Sequence, residues 1–364
     1  MQDGQGRGGR AGRQGGLSRR RFLAAVGGGA AALGAAACLP HVSGEWGTCS
    51  EPDGGGADGA QDGGGGAPPA PLSNRVVEIA PPGLVDPDTL LIDTTRLPEL
   101  LSAGLLALTG AASLAEAWQV VLPGRLPGER VGLKVNTLNA RVSSSPAVVS
   151  ALVASLRADA GVPDAELLVW DRSLRELTRA GFDGAALGCS LVGTQASSTD
   201  PTGPGYLRES VCLSGRQIYL SSVLTAGLEH LINVAVMKNH LAAGFTGVLK
   251  NHYGSFSRPE DFHEGCEQHI ARLNALPAIA SKSRLHVLDA LVGVCAGDTA
   301  DPPDCAPGKL LLAFDPVALD RRGVEVRDEV RAARGAPPGA PAAYLELAAE
   351  LGLGSLEYDL VRIT

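Results

Sequence analysis

No Cys-x-x-Cys pair occurs among the seven cysteines, so a cysteine-held iron–sulfur cluster and a four-cysteine zinc site have no support. There is no Gly-x-Ser-x-Gly elbow, no P-loop, and no Gly-x-Gly-x-x-Gly after a β-rich run. Those absences argue against an ordinary esterase, a P-loop nucleoside triphosphatase and a dinucleotide enzyme. No stretch repeats at a period of roughly 20–50 residues, which excludes a solenoid or propeller. Nucleic-acid-binding motifs are missing too, and without the arginine-rich residues 1–37 the chain carries −13, a charge that repels nucleic acid and anionic lipid. Histidine is scarce at seven residues. Two of the seven nevertheless stand in identical triplets, Lys238-Asn239-His240 and Lys250-Asn251-His252.

A chain of 364 residues is long enough for one large or two modest domains, and a hydrophobic content of 45% supplies a core. The N-terminus is the exception. Ser18-Arg19-Arg20-Arg21-Phe22-Leu23 precedes a weakly apolar run, AAVGGGAAALGAAAC, that is short and glycine-rich beside the about 20 apolar residues of a membrane span. Paired arginines before Phe-Leu resemble a twin-arginine export signal, which assigns residues 1–38 to a signal peptide. Ala35 and Ala37 suit an ordinary signal peptidase. Small residues directly before Cys38 equally resemble a lipoprotein processing site, which makes Cys38 the candidate lipidation site. Residues 39–74 are rich in Gly, Pro and Asp and bury too little apolar surface to fold. The expected location is the periplasm or cell envelope, reached through the twin-arginine machinery, with or without a lipid anchor. Residues 1–37 hold six arginines against Asp3, which leaves −13 on the remainder of a chain that totals −8. Disulfides persist outside the cytosol. Cys295 and Cys305 flank a Pro/Asp/Gly loop and form one expected pair, with Cys189 and Cys212 another, although spacing alone does not fix connectivity.

From residue 75 onward the chain alternates. Short apolar, β-rich runs stand at 129–135, 166–170, 216–220, 230–237, 284–288 and 309–314. Helical patterns occupy 97–108, 145–161, 315–335 and 341–352; the second opens on Ser-Pro and closes on Gly. Strands alternating with helices predict an α/β fold, a mostly parallel sheet with helices on both faces, in a single main domain over 75–364. Unbroken apolar strands agree, because such strands are covered on both sides.

Ligands of open α/β sheets bind outside the carboxyl ends of the strands. Asn136 and Thr137 follow the first run, Asp171 the second, Lys238-Asn239-His240 the fourth, Asp289 the fifth and Asp315 the sixth. Asp315, before Pro316, also reads as a helix N-cap. Twelve residues separate the two triplet histidines, so one helix would point them about 120° apart. The segment between them is small and apolar and holds Gly244 and Gly247, which suits a chain that leaves and returns under close packing. Both triplets are therefore expected to line one cavity, with Lys238, His240, Lys250, Asn251 and His252 as candidate catalytic residues. Neutral imidazole serves as metal ligand or base. Lysine holds an anion and, when buried, gives up its proton readily. His240 and His252 with Asp289 would compose a two-histidine-one-carboxylate set for a divalent metal. Without metal, two lysines and two histidines make an anion site with acid/base groups. Asn136, Asp171, His263 and Asp315 are the candidate substrate contacts. His263, Cys266 and His269 step by three and drift about 120° across a helix, a poor fit to one shared metal.

Several segments together resemble one set: VGLKVNT, LLVWDRS, INVAVMKNHLAAGFTGVLKNHYGSF, the Pro-x-x-Phe-His at 259–263, RLHVLDAL and FDPVALD. They are similar to exported members of the domain-of-unknown-function family numbered 362, over about residues 129–322. Lys238, His240, Lys250, Asn251, His263, Asp289, Asp315 and Asp320 match that family's pattern. Some members are fused to ferredoxin-like modules; this chain has no such motif, so the resemblance does not extend to electron transfer within it. The residues point to an enzyme, metal-dependent or redox-linked, acting on a small anionic substrate at the carboxyl edge of the sheet. The alternative is a non-catalytic ligand- or metal-binding lipoprotein.

Overall fold

The computed structural model describes Cys49 and residues 74–195 and 203–364. The signal and linker assignments (1–38 with Cys38, and 39–74) lie outside the described residues, Cys49 and Asn74 excepted. The described chain opens with β1 (Arg75–Ile79), α1 (Leu97–Thr109) and α2 (Leu114–Val121). Next come β2 (Val131–Lys134), α3 (Pro146–Ala158), β3 (Leu167–Ser173), α4 (Leu174–Arg179), α5 (Gly184–Leu187) and β4 (Ser190–Gln195). A ribbon of β5 (Val211–Leu213) and β6 (Arg216–Ile218), then α6 (Ser222–Ala226), leads to β7 (His230–His240), β8 (Gly244–Thr246) and α7 (Val248–Asn251). The remainder is α8 (Cys266–Ala275), α9 (Pro277–Ala280), β9 (Ser283–Val294), β10 (Lys309–Ala313), α10 (Pro316–Ala333), α11 (Tyr344–Glu350) and β11 (Asp359–Ile363).

The main sheet runs β11-β1-β10-β9-β7-β2-β3-β4, with β8 paired to the end of β7. From β9 to β4 every neighbour is parallel. Parallel neighbours need crossovers, and α3 supplies the one from β2 to β3. On one face Leu133, Val169, Ile232 and Val287 pack with Leu101, Trp118, Val148 and Leu152 of α1, α2 and α3. Leu288 points the other way from Val287, and Gly323 of α10 lies directly on it; a Cβ there would meet Leu288 Cδ2 at 2.5 Å. That contact explains a glycine inside a helix that runs unbroken to Ala333. The fold is α/β, a largely parallel sheet with helices on both faces, in a single domain.

Three expectations need correction. The run at 216–220 contributes only β6 of the small ribbon, outside the main sheet. Lys238, Asn239 and His240 lie inside β7 rather than after it, because β8 folds back and pairs Lys238 with Thr246 and His240 with Gly244. Cys212 is bonded to Cys49, not to Cys189, which is a free thiol. The pairing of Cys295 with Cys305 is present.

Candidate active site

Polar groups gather where β2, β3 and β7 end on a common edge. Lys134, in the last position of β2, is fully buried. Its Nζ donates to Asp171 Oδ1 of β3 at 2.7 Å and to the Val135 carbonyl at 2.7 Å. Asp171 Oδ2 accepts from the Thr137 amide and hydroxyl at 2.8 and 2.7 Å. Burial alone would raise the Asp171 carboxyl; the Lys134 charge and these donors outweigh it and hold it below the usual range. Lys238 Nζ donates to Asn136 Oδ1 at 2.9 Å. Asn251 Oδ1 lies 3.4 Å from both Asn136 Nδ2 and Lys134 Nζ, and Asn251 Nδ2 donates to Asn233 Oδ1 at 2.8 Å. Lys134, Asn136, Asp171, Lys238 and Asn251 thus form one connected network.

The second triplet is delivered by the hairpin. Gly244 turns it with φ of +75°, a conformation glycine takes without Cβ strain. Gly247 precedes α7, where any Cβ would sit 2.0 Å from Asp320 Oδ1. That closeness is needed because Asp320, from α10, accepts the Val248 and Leu249 amides at 2.6 and 3.1 Å and so anchors the start of α7. Burial pushes the Asp320 carboxyl up to about 7.

Lys250 and His240 belong to an adjoining imidazole cluster. His240 Nδ1 accepts from the Ala242 and Ala243 amides at 3.1 and 3.3 Å, which leaves the proton of the neutral ring on Nε2. The ring stacks on exposed His263 at 5.6 Å between centroids. Burial, then the Lys250 charge, lowers His240 to about 4. Burial likewise lowers Lys238 and Lys250 to about 7. Lys250 Nζ lies 3.0 Å from the centre of the Tyr253 ring.

Other candidates fall elsewhere. His252 is completely buried, and both ring nitrogens are engaged, Nε2 with Asn233 Nδ2 at 3.3 Å and Nδ1 with Ser255 Oγ at 3.0 Å. Asp289 is mid-strand in β9, where it accepts the Ser145 and Leu291 amides; burial raises it to about 6. His240, His252 and Asp289 therefore do not meet as a ligand set, and the divalent-metal arrangement expected from them is not formed. Asp315 caps α10 through the Val317 and Ala318 amides and also accepts from Ser355. It lies at the opposite edge because β10 runs antiparallel to β9. Among the described residues, Cys295, Asp304 and Cys305 do place ligand-type atoms within 4.8 Å of one another. The two sulfurs are joined, however, and Asp304 accepts three backbone amides, so this group serves the loop in its present state. A cavity of about 500 Å³ between α10 and the segment around Pro341 contains none of the candidate residues.

A family model described as "Domain of unknown function (DUF362)" matches residues 131–325, which span every residue of both clusters. The chain belongs to the DUF362 family. No functionally curated protein matches it. The crystal structure of a Thermotoga maritima protein, determined by the Northeast Structural Genomics Consortium, aligns with a TM-score of 0.37 and 11% identity. That alignment covers 71% of this chain and 59% of the other. Within this DUF362 domain, sequence reasoning overlooked Lys134 and Tyr253. The signal for Lys134 was a lone charge inside an otherwise apolar strand. Tyr253 offered none beyond standing next to the second triplet.

Proposed function

We propose that the protein is an enzyme acting on a small anionic substrate at the carboxyl edge of the sheet, with Lys238 and Lys250 meeting the negative charge. What supports this is a pair of buried lysines that no carboxylate touches among the described residues: Lys238 donates to an amide oxygen, with Asp171, already bonded to Lys134, acting on it only from a distance, and Lys250 rests on an aromatic face. A buried ammonium without a counter-charge is costly, and an anion would supply that charge. Neutral His240 and His263 beside Lys250 add groups able to move a proton. Calorimetric titration with phosphate, acetate and succinate tests this. At least one should bind, and Lys238→Met or Lys250→Met should weaken it about tenfold or more, with thermal melts confirming that the variants fold. Equal affinity in both variants would contradict the proposal. Binding without any turnover would favour the non-catalytic lipoprotein.

We further propose that residues 1–38 act as a twin-arginine signal and that the domain works in the periplasm or cell envelope, tethered at Cys38. The paired arginines support it, and two disulfides are compatible with an oxidising compartment. Arg19→Lys with Arg20→Lys should leave precursor in the cytoplasm; undiminished export would rule out that route. The intact mass of the mature protein separates an acylated Cys38 from simple cleavage.

A further inference from the structure

Of the 31 cationic side chains only five are lysines, at positions 134, 238, 250, 282 and 309. Three of the five, Lys134, Lys238 and Lys250, are buried in the two adjoining clusters. Arginine keeps its charge at any pH a protein meets, whereas lysine can release its proton. Of the five, Lys238 and Lys250 stand where burial lets an amine lose its proton near neutrality.

The five lysines are not equivalent. Lys134 donates to Asp171, and Lys238 to Asn136. Lys282 donates to three carbonyls, of Leu224, Thr225 and Leu228. Lys309 is shared by Glu78 and Glu329. Lys250 has no oxygen acceptor among the described residues; its Nζ rests on the Tyr253 ring, whose own hydroxyl is turned away to the Phe262 carbonyl at 2.8 Å. Its titratable neighbours are Tyr253, His240, His263 and Cys266, with no carboxylate among them. The residue is 6% exposed, and exposed His263 stands beside it on the solvent side. A desolvated amine with no acceptor and neutral neighbours is arranged as a nucleophile toward carbonyl carbon.

We propose that Lys250 is a catalytic amine that forms an imine with its substrate, which makes that substrate a small oxo acid. This rests on the anionic-substrate reading and adds the carbonyl group to it: Lys238 meets the carboxylate, while Lys250, neutral once its proton has left, meets the carbonyl. The Nζ lone pair adds to the carbonyl carbon, forming the C–N bond as the C–O π bond opens. One proton passes from nitrogen to oxygen to give the carbinolamine. A second proton then leaves nitrogen for the hydroxyl oxygen as the C–O bond breaks, water departs and C=N forms. No oxidant or reductant is consumed. His240, carrying its proton on Nε2, and His263 are the imidazoles placed to relay these protons.

The test is reductive trapping. The full chain is incubated at pH 7 with 4-oxobutanoate and sodium cyanoborohydride, and the adduct is mapped by peptide mass. With five lysines the map is unambiguous and needs no variant. Lys250 should be labelled at least about tenfold faster than Lys282 or Lys309; Lys250→Arg should abolish that adduct, and His240→Gln should slow its formation. Labelling of Lys250 no faster than Lys282 and Lys309 would overturn the inference. So would absence of label while 4-oxobutanoate binds by calorimetry, an outcome that leaves the anionic-substrate reading intact. Neither label nor binding would remove both.

Discussion

Replacing Asp171 with alanine is expected to destabilise the protein by about 3–5 kcal/mol, the usual cost of leaving one partner of a buried ion pair alone. Lys134 and Asp171 retain only 1% and 7% side-chain exposure, so water cannot screen the orphaned ammonium. Asp171 also holds the Thr137 amide and hydroxyl, and these donors lose their acceptor in the same step. The double change Lys134→Met with Asp171→Leu should recover the part of the loss that comes from the orphaned charge, because apolar groups of similar volume replace a buried pair at little cost, while the part at Thr137 remains. Urea unfolding of the two variants separates the outcomes. A loss below about 1 kcal/mol for Asp171→Ala would mean that the pair is solvated and the network is not a rigid floor to the site.

Anion affinity should depend on pH in one direction. Burial lowers the Lys238 and Lys250 amines to about 7, far below an ordinary lysine. Only the ammonium attracts an anion. Below pH 7 both side chains are largely protonated in the free protein, and affinity is set by the contacts alone. Above pH 7 the free protein holds neutral amines, and binding must carry a proton in with the anion. Affinity should then fall about tenfold per pH unit for each lysine that has to be protonated. Ordinary lysines would keep affinity flat to about pH 10. A flat profile between pH 7 and 9 would therefore show that the two amines are not held near neutrality.

Much of this architecture is legible in the sequence, for identifiable reasons. The runs at 129–135, 166–170 and 230–237 belong to parallel strands, so the rule about carboxyl ends brings Asn136, Asp171 and Lys238 to one edge. The same rule misplaces Asp315, because the antiparallel direction of β10 leaves no mark in an apolar run. Asp171, Asp289 and the first triplet stand inside their strands rather than after them, since β3 continues to Ser173, β9 to Val294, and β8 extends the ladder over β7. His252 repeats the pattern of His240 and yet is a buried hydrogen-bonding residue, which shows that a duplicated triplet fixes proximity without fixing role. Asp320 matches the family pattern, but its work at the start of α7 is a contact across 72 residues of chain. Cys212 pairs across 163 residues with Cys49, a choice no local spacing reveals. What sequence leaves out in each case is a tertiary partner.

The central claim is that buried lysines of low proton affinity take up the charge needed to hold an anion. Calorimetric titration at pH 8 in two buffers of different ionisation enthalpy measures it directly, because the difference in apparent heat counts protons absorbed on binding. Uptake approaching one proton per anion in wild type, and reduced in Lys238→Met or Lys250→Met, is the predicted result. Binding with no proton uptake in wild type would contradict it.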